Sequence, residues 1–160
     1  MVSRLLSMGH HTPLEFVTLK FRVRCNRAVS HELVRHRHMS VVQESQRYVK
    51  VPDGGFAFDL PPDCPVNLKR SFDAFYRRAE ALYRDLLEKG VKAEDARLVL
   101  PNAVMSTLHV MMNLREFRHF VDLRTSAAAW EPMRRVAGEM VFRFCEACPQ
   151  DRFLLAGVVH

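Results

Sequence analysis

The chain has 160 residues, of which 48% are apolar and 26% are charged. These values are ordinary for one soluble globular domain, so they exclude collagen-like, low-complexity and disordered classes. No apolar run reaches the about 18 residues of a membrane span, and the apolar block near the N-terminus is too short for a signal peptide, so we expect a cytoplasmic protein. The chain has 24 Lys and Arg against 18 Asp and Glu, a net charge of +6. That balance favours anionic partners such as nucleic acid, nucleotides or phosphorylated substrates, without choosing among them.

The N-terminal part of the chain is predicted to hold a strand and a short helix. Apolar residues alternate with basic and polar ones over Val17–Cys25, which is typical of a strand with one apolar and one basic face. Residues 28–36 have the apolar spacing of a short helix. Residues 40–50 are polar and show no period. The stretch 51–65 contains four prolines and a Gly-Gly pair, so we expect a loop there with one short strand over Phe56–Leu60.

The strongest helical pattern runs from Asn67 to Lys89. Apolar and aromatic residues recur there at three- and four-residue steps, which predicts a long helix whose aromatic stripe is core. Asn67 is the predicted N-terminal cap, and Gly90 is placed to end the helix.

Further helices are predicted towards the C-terminus. A short helix is expected at 93–99 before Pro101, and another at 113–124 with Asn113 as its cap. Pro132 suits the first turn of a last helix that runs to about Cys145. No internal repeat or linker interrupts these elements. We therefore predict a single α+β domain over residues 1–160, with a mixed sheet packed against helices.

The cysteines give only weak functional information. Cys145 and Cys148 form a lone Cys-x-x-Cys pair, with no second pair to complete a zinc site. The better interpretation is two half-buried thiols at the end of a helix. No cysteine stands in a recognisable nucleophile context, so neither a metal site nor covalent thiol catalysis is predicted.

The basic segment 35–48 carries the chemistry. Arg35 and Arg37 are two residues apart, so a helix ending near Arg35 and continuing as extended chain would let both guanidiniums line one pocket. Ser45 and Arg47 are related in the same way, and a hydroxyl with guanidiniums can hold a phosphate. The carboxylate of Glu44 either holds these arginines in place or faces water.

Three interpretations of this segment compete. The first is a solvated basic surface. The second, a metal site of His31, His36 and His38, is disfavoured because the adjacent arginines would place two cations beside the metal. The third is a phosphate site, which fits the charge but does not separate a mononucleotide from a nucleic-acid backbone. Neither a Walker loop nor Gly-x-Gly-x-x-Gly occurs, so no standard nucleotide-binding fold is indicated.

Several blocks in order resemble the flavin-dependent thymidylate synthases. Arg35-His36-Arg37, followed after seven residues by Ser45-Gln46-Arg47-Tyr48, matches the signature of that family. The remaining blocks are Gly9-His10-His11-Thr12-Pro13-Leu14-Glu15, Ala96-Arg97-Leu98-Val99-Leu100-Pro101, and Asn113-Leu114-Arg115 with His119-Phe120 and Leu123-Arg124. Together they cover about residues 9–145, and a chance match of all of them in order is not a serious alternative.

The resemblance implies a specific reaction. Members of the family methylate C5 of a uridine monophosphate, converting dUMP to dTMP. The carbon comes from methylenetetrahydrofolate and the hydride from FAD, which NADPH reduces. They lack an obligatory cysteine nucleophile. The implied fold is a mixed α/β domain that assembles as a homotetramer with active sites shared between subunits.

The resemblance also implies roles for individual residues. The implied catalytic residues are Arg124, His10 and Arg35. Arg124 would bind and polarise the uracil, and His10 would lie near the flavin and folate. Flavin contacts are implied for Thr12, Glu15, Arg35, His36, Arg37, Asn113, Arg115 and His119. Nucleotide contacts are implied for Glu32, Arg35, Gln43, Glu44, Ser45, Gln46, Arg47, Arg124 and, from a neighbouring subunit, Arg97. Without the resemblance, Asn113 could simply cap a helix, Glu15 could pair with a strand arginine, and Arg115 could be solvated.

The chain departs from the family pattern at several places. Glu32 stands where many members have Gln, and Gln43-Glu44 replaces the commoner Glu followed by another residue. Residues 125–130 lack a histidine that some members place near the flavin. The chain also begins almost at the Gly-His block, where members typically have several dozen earlier residues, so we expect a shortened N-terminus.

Two alternatives stay open. One is the same chemistry on ribo-UMP in nucleoside-antibiotic biosynthesis. The other is a catalytically inactive basic module that binds nucleic acid. A uridine monophosphate substrate is therefore the expected partner, and nucleic acid is disfavoured.

Overall fold

A computed structural model describes residues 2–47 and 55–160. The α-helices are α1 (Val2–Ser7), α2 (Arg27–Leu33), α3 (Val66–Glu88), α4 (Ala93–Ala96), α5 (Leu114–Thr125) and α6 (Glu131–Ala147). The strands are β1 (Thr18–Asn26), β2 (Met39–Gln43) and β3 (Met105–Asn113). Short 3-10 helices lie at Thr12–Phe16, Arg97–Val99 and Pro149–Leu155. The predicted α+β class is confirmed.

The strands form an antiparallel sheet in the order β1-β3-β2. The predicted strand is confirmed as β1, whose Val23 and Cys25 side chains are buried while Arg22 and Arg24 are exposed. The central strand β3 lies where the sequence predicted no element. Alternate β3 residues, from Ser106 to Met112, are buried, and this burial of every second residue is the pattern of a strand with one buried face.

Residues 39–43 and 56–60 differ from the prediction. The polar stretch from residue 40 begins inside β2, because its backbone pairs with the sheet although its side chains are only half-buried or exposed. The strand expected over Phe56–Leu60 reduces to an isolated antiparallel bridge between Phe58 and Val104. Residues 51–54 of the predicted loop lie outside the described residues.

The long helix α3 is confirmed, but its predicted cap is wrong. The helix begins at Val66, and the residue before it is Pro65, whose carbonyl oxygen accepts from the N–H groups of Leu68 and Lys69. Asn67 therefore lies inside the first turn. Pro65 is tolerated there because an N–H at the start of a helix has no partner inside the helix, so the one that proline lacks is not missed. The predicted end is confirmed, since Gly90 has a φ of 85°, a left-handed conformation that favours glycine after a helix.

The aromatic stripe of α3 is only partly core. Tyr76 and Tyr83 are buried, and Tyr83 packs edge-on against Phe56 with ring centroids 5.2 Å apart. Phe75 and Leu82 are 54% and 47% exposed. The periodicity correctly predicted the helix, but it did not distinguish the buried aromatic positions from the exposed ones.

Helices α5 and α6 pack against each other, as their apolar faces predict. Phe117, Phe120 and Val121 of α5 are fully buried, and Met133 and Ala137 of α6 are buried too. The predicted cap of α5 is confirmed, because the Asn113 Oδ1 accepts from the Glu116 N–H at 2.9 Å. The cysteine interpretation holds as well, since Cys145 and Cys148 are half-buried free thiols at the end of α6.

The chain divides into two compact units. Unit 1 comprises residues 1–23, 31–42 and 109–160, and its core lies around α5 and α6. Unit 2 comprises residues 24–30 and 43–108, and its core includes Tyr76, Tyr83 and Val104. Within the described ranges, no helix combines the length and the apolar character needed to cross a bilayer.

Candidate functional site

The segment after α2 is a turn and not the extended chain that the arginine spacing predicted. Helix α2 ends at Leu33, and the N–H groups of Arg35 and His36 donate to the carbonyl oxygens of Glu32 and Leu33 at 3.2 and 3.1 Å. The turn exposes Arg35 and Arg37 and buries the His36 side chain between them. The two guanidiniums therefore point to solvent, whereas the histidine is directed into unit 1.

Arg124, near the end of α5, lies against this turn. Its Nε–H donates to the His36 Nε2 at 2.9 Å, and its Nη1 donates to the Glu32 Oε2 at 3.1 Å. Arg124 is half-buried, with its side chain 25% exposed. Among the residues that the structure describes, its Nη2 has no hydrogen-bond partner. The structure thus brings together three predicted site residues from α2, the turn and α5.

His36 is held as a neutral imidazole. Burial, followed by the charges of Arg124 and His119, lowers the pKa of His36 to about 4. The ring packs edge-on against Phe120 with centroids 5.1 Å apart, and its Nδ1 lies 3.8 Å from the buried Glu116 carboxylate. A neutral ring can accept a hydrogen bond at one nitrogen, which the protonated ring cannot do.

A cleft of about 530 Å³ in unit 1 collects further predicted residues. It is lined by Glu15, His38, Asn113, Arg115, Glu116 and His119. The 3-10 helix Thr12–Phe16 packs against α5, where the Leu114 N–H donates to the Val17 carbonyl oxygen. This contact sets Glu15 beside Arg115, and their side chains form an ion pair. Four of the residues with implied flavin contacts therefore share one cleft.

The remaining predicted residues of unit 1 lie outside this lining. His10 and Thr12 are exposed, and they are not among the residues that line the cleft. The alternative roles predicted for Glu15 and Arg115 are both wrong. Glu15 pairs with a helix arginine and not a strand arginine, and Arg115 is not simply solvated. Asn113 both caps α5 and lines the cleft.

The predicted phosphate-binding residues are in unit 2. The Ser45 Oγ accepts from the Arg47 N–H at 3.3 Å, which forms a local turn. Arg47 also pairs with Glu94 at 3.1 Å. The Nε–H of Arg97 donates to the carbonyl oxygen of Glu94 at 3.0 Å. Burial, and secondarily the charge of Arg97, lowers the pKa of the Arg27 guanidinium.

Other predicted nucleotide-binding residues have varied surroundings. Gln43 is tied down, because its Nε2 donates to the hydroxyls of Ser30 and Ser106 at 3.1 and 3.2 Å. Glu44 is exposed, which agrees with a carboxylate that faces water. Gln46 is half-buried in the following turn, and Tyr48 lies outside the described residues.

Sequence reasoning missed Glu116, His38 and Glu94 as site neighbours. Glu116 carried a signal, since it stands three residues after Asn113, the position of a capping box. Its burial beside His36 depends on the packing of α5, which no local pattern reveals. Glu94 meets Arg47 across 47 residues of chain, and no signal for that pairing existed in the sequence.

Comparisons with known proteins find relatives that share the name flavin-dependent thymidylate synthase. A flavin-dependent thymidylate synthase of Geobacter sulfurreducens is 40% identical over 143 residues, covering 88% of this chain and 62% of that protein. One of Thermococcus onnurineus is 39% identical over 143 residues, covering 86% of the chain and 58% of that protein. One of Nitratidesulfovibrio vulgaris is 38% identical over 161 residues, covering 93% and 64%. The chain thus spans about three fifths of the length of these curated relatives.

Fold and site together define an α+β protein in which the Arg124 guanidinium is held by His36 and Glu32. The family model described as thymidylate synthase complementing protein matches residues 1–150, and the chain belongs to that family. The relatives' names give no support to the ribo-UMP and nucleic-acid alternatives.

Proposed function

We propose that this chain catalyses FAD-dependent reductive methylation of dUMP at C5, giving dTMP. Methylenetetrahydrofolate supplies the carbon and NADPH the reducing equivalents. The enzyme works in the cytoplasm as a homotetramer with shared active sites. Membership of the family and the names of its relatives support the reaction class.

The observation that carries the proposal is the fixed position of Arg124. Two acceptors from unit 1 hold its guanidinium, while Nη2 retains its donors for a ligand. C5 of uracil becomes nucleophilic when electron density is added to it, and the ring carbonyl oxygens share the resulting negative charge. A positively charged donor that is already oriented stabilises this charge without having to reorganise. Arg124 is therefore the proposed uracil-binding and polarising residue.

The unit 1 cleft is the proposed flavin site. Its volume lies within the range of about 300–1,000 Å³ typical of cofactor pockets. Arg115, His38 and His119 supply N–H donors for a pyrophosphate. Of the two carboxylates in the lining, Glu15 is paired with Arg115 and Glu116 is buried beside His36. When bound, reduced FAD would supply the hydride that turns the transferred methylene into a methyl group. The outward-facing Arg35 and Arg37 are proposed to contact the same cofactor.

The resemblance supports a phosphate-binding role for the unit 2 residues. Ser45 and Arg47 are proposed to hold the nucleotide phosphate and sugar, and Arg97 is proposed to serve a neighbouring subunit's site. Glu94 now pairs with Arg47 at the protein surface. A dianionic phosphate competes well for this guanidinium, because an exposed ion pair contributes only about 0–1 kcal/mol.

The test is methylation of dUMP carrying tritium at C5. Replacement of the C5 hydrogen by a methyl group releases tritium to water, so release should require methylenetetrahydrofolate, NADPH and FAD together. A parallel reaction with labelled UMP tests the preference between ribose and deoxyribose. No release with all components present would overturn the proposal. Release from UMP but not from dUMP would show that the ribonucleotide is the substrate.

A further inference from the structure

The hydrogen bond between Arg124 and His36 fixes where the imidazole proton must be. A guanidinium has only donors, so the Nε2 that lies 2.9 Å from the Arg124 Nε must be an unprotonated acceptor. The ring proton of neutral His36 is therefore on Nδ1. That nitrogen lies 3.8 Å from the Glu116 carboxylate, an orientation that favours the Nδ1–H form.

The surroundings of His36 leave it little freedom to move. Its side chain is 6% exposed, and its ring makes a T-shaped contact with Phe120. Its backbone N–H is bonded to the Leu33 carbonyl oxygen at the end of α2. Glu116 is fixed in turn, because its own N–H donates to the Asn113 cap. The imidazole is thus a rigid acceptor that the turn after α2 holds against the side chains of α5.

We propose that His36 is a positioning residue that orients the Arg124 guanidinium for the uracil through its neutral Nδ1–H tautomer. This inference rests on the proposed function. Because the imidazole is uncharged, it directs Arg124 without adding a second negative partner beside Glu32. Glu32 gives the second point of attachment, at Nη1, and Nη2 is left for the substrate.

The titratable and charged groups around His36 explain why the neutral form is required. Arg124 and His119 face it from α5 and disfavour a second cation, while Glu116, also on α5, faces its Nδ1. Glu32 of α2 engages Arg124. A proton on Nε2 would remove the acceptor and place an imidazolium against the guanidinium.

Two variants separate positioning from packing. In His36→Gln, the side-chain carbonyl oxygen can take the place of Nε2 and accept from Arg124. In His36→Leu, the side chain fills similar space and accepts nothing. We expect His36→Leu to lower kcat by about 100-fold, the cost of a misplaced catalytic group, with a smaller change in KM. His36→Gln should retain most of the turnover. The control is His160→Gln, which alters another histidine bonded to α5, through Asp122, and should leave kcat unchanged.

A spectroscopic readout tests the inference without turnover. The ¹⁵N spectrum of the chain at neutral pH should show His36 as the Nδ1–H tautomer, and the Arg124 Nε–H should exchange slowly in the wild type and in His36→Gln but not in His36→Leu. An Nε2–H or doubly protonated His36, or equal turnover of the Leu and Gln variants, would overturn the inference. If the wild type makes no dTMP while the tautomer and exchange pattern are as expected, the proposed function fails and the Arg124–His36 arrangement stands. If His36→Leu does not fold, the tautomer and the Gln variant still decide.

Discussion

Arg124→Ala tests the proposed reaction most sharply. The substitution removes the Nη2 donors that the uracil would use, and loss of one such preorganised donor costs about 3 kcal/mol of transition-state stabilisation. Turnover should therefore fall by a factor of about 100 or more. The assay is tritium release from C5-labelled dUMP with saturating cosubstrates.

The structure also bounds the effect on stability. The Arg124–Glu32 pair is 25% and 35% exposed, so its loss costs at most about 1 kcal/mol. His36 loses the donor to its buried Nε2, and an unsatisfied acceptor costs about 1–3 kcal/mol. A domain with a free energy of unfolding of about 5–15 kcal/mol tolerates this. The variant should fold, with a lowered urea midpoint.

A matched control comes from the same helix. Arg118 is a half-buried arginine of α5 whose Nη2 bonds to the Ala156 carbonyl oxygen at 3.5 Å. Arg118→Ala should leave turnover close to that of the wild type. Near-normal methylation by Arg124→Ala, or an equal loss in both variants, would refute the role given to Arg124.

The remaining predictions concern stability and reactivity. Asn113→Ala should lower the free energy of unfolding by about 1 kcal/mol in urea denaturation, because α5 loses its cap, whereas Asn113→Asp should retain most of it. His36 has a folded pKa of about 4 against an ordinary 6.5, so the unfolded chain binds more protons between these values, and the stability contributed by neutral His36 should be lost as the pH falls from 6.5 towards 4. That contribution is on the order of 3 kcal/mol. Urea denaturation at several pH values should show that the free energy of unfolding of His36→Gln changes less with pH across this range than that of the wild type. Burial, then the charge of Asp59, raises the pKa of Cys25 to about 11, so thiol reagents at mildly alkaline pH should label it only after unfolding.

Each of these expectations has a contradicting result. Equal stability of Asn113→Ala and the wild type would mean that the cap contributes nothing to α5. An unchanged pH dependence in His36→Gln would assign the acid destabilisation to other groups. Rapid native labelling of Cys25, at the rate of the half-buried Cys145 and Cys148, would show that β1 opens readily to solvent.

The elements that the sequence predicted are those with a local signal. The α5 and α6 helices follow from apolar residues at helical spacing, and the cap at Asn113 is a short-range feature. Strand β3 was missed because the polar Ser106 is buried while the apolar Met111 is 40% exposed, so polarity does not follow burial along the strand. Strand β2 is too short and too weakly buried to show a period.

The sequence likewise predicted which residues belong to the site, but not how they contact each other. Family motifs gave Arg124, His36 and Glu32 as candidates, but Arg124 is 88 and 92 residues away from the other two, and only folding shows that they bond to each other. The spacing of Arg35 and Arg37 predicted that both guanidiniums line one pocket. The turn after Leu33 instead makes His36 the buried member. Burial of a polar side chain depends on tertiary packing, which periodicity does not report.

Flavin uptake tests the central claim most directly. The purified chain is titrated with FAD, and the bound fraction is followed by flavin absorbance and fluorescence, with Arg115→Ala as the variant and Arg118→Ala as its control. We predict saturable binding to the wild type and the control, and weaker binding to Arg115→Ala because its side chain lines the cleft beside Glu15. A wild-type chain that neither retains nor takes up FAD would contradict the account.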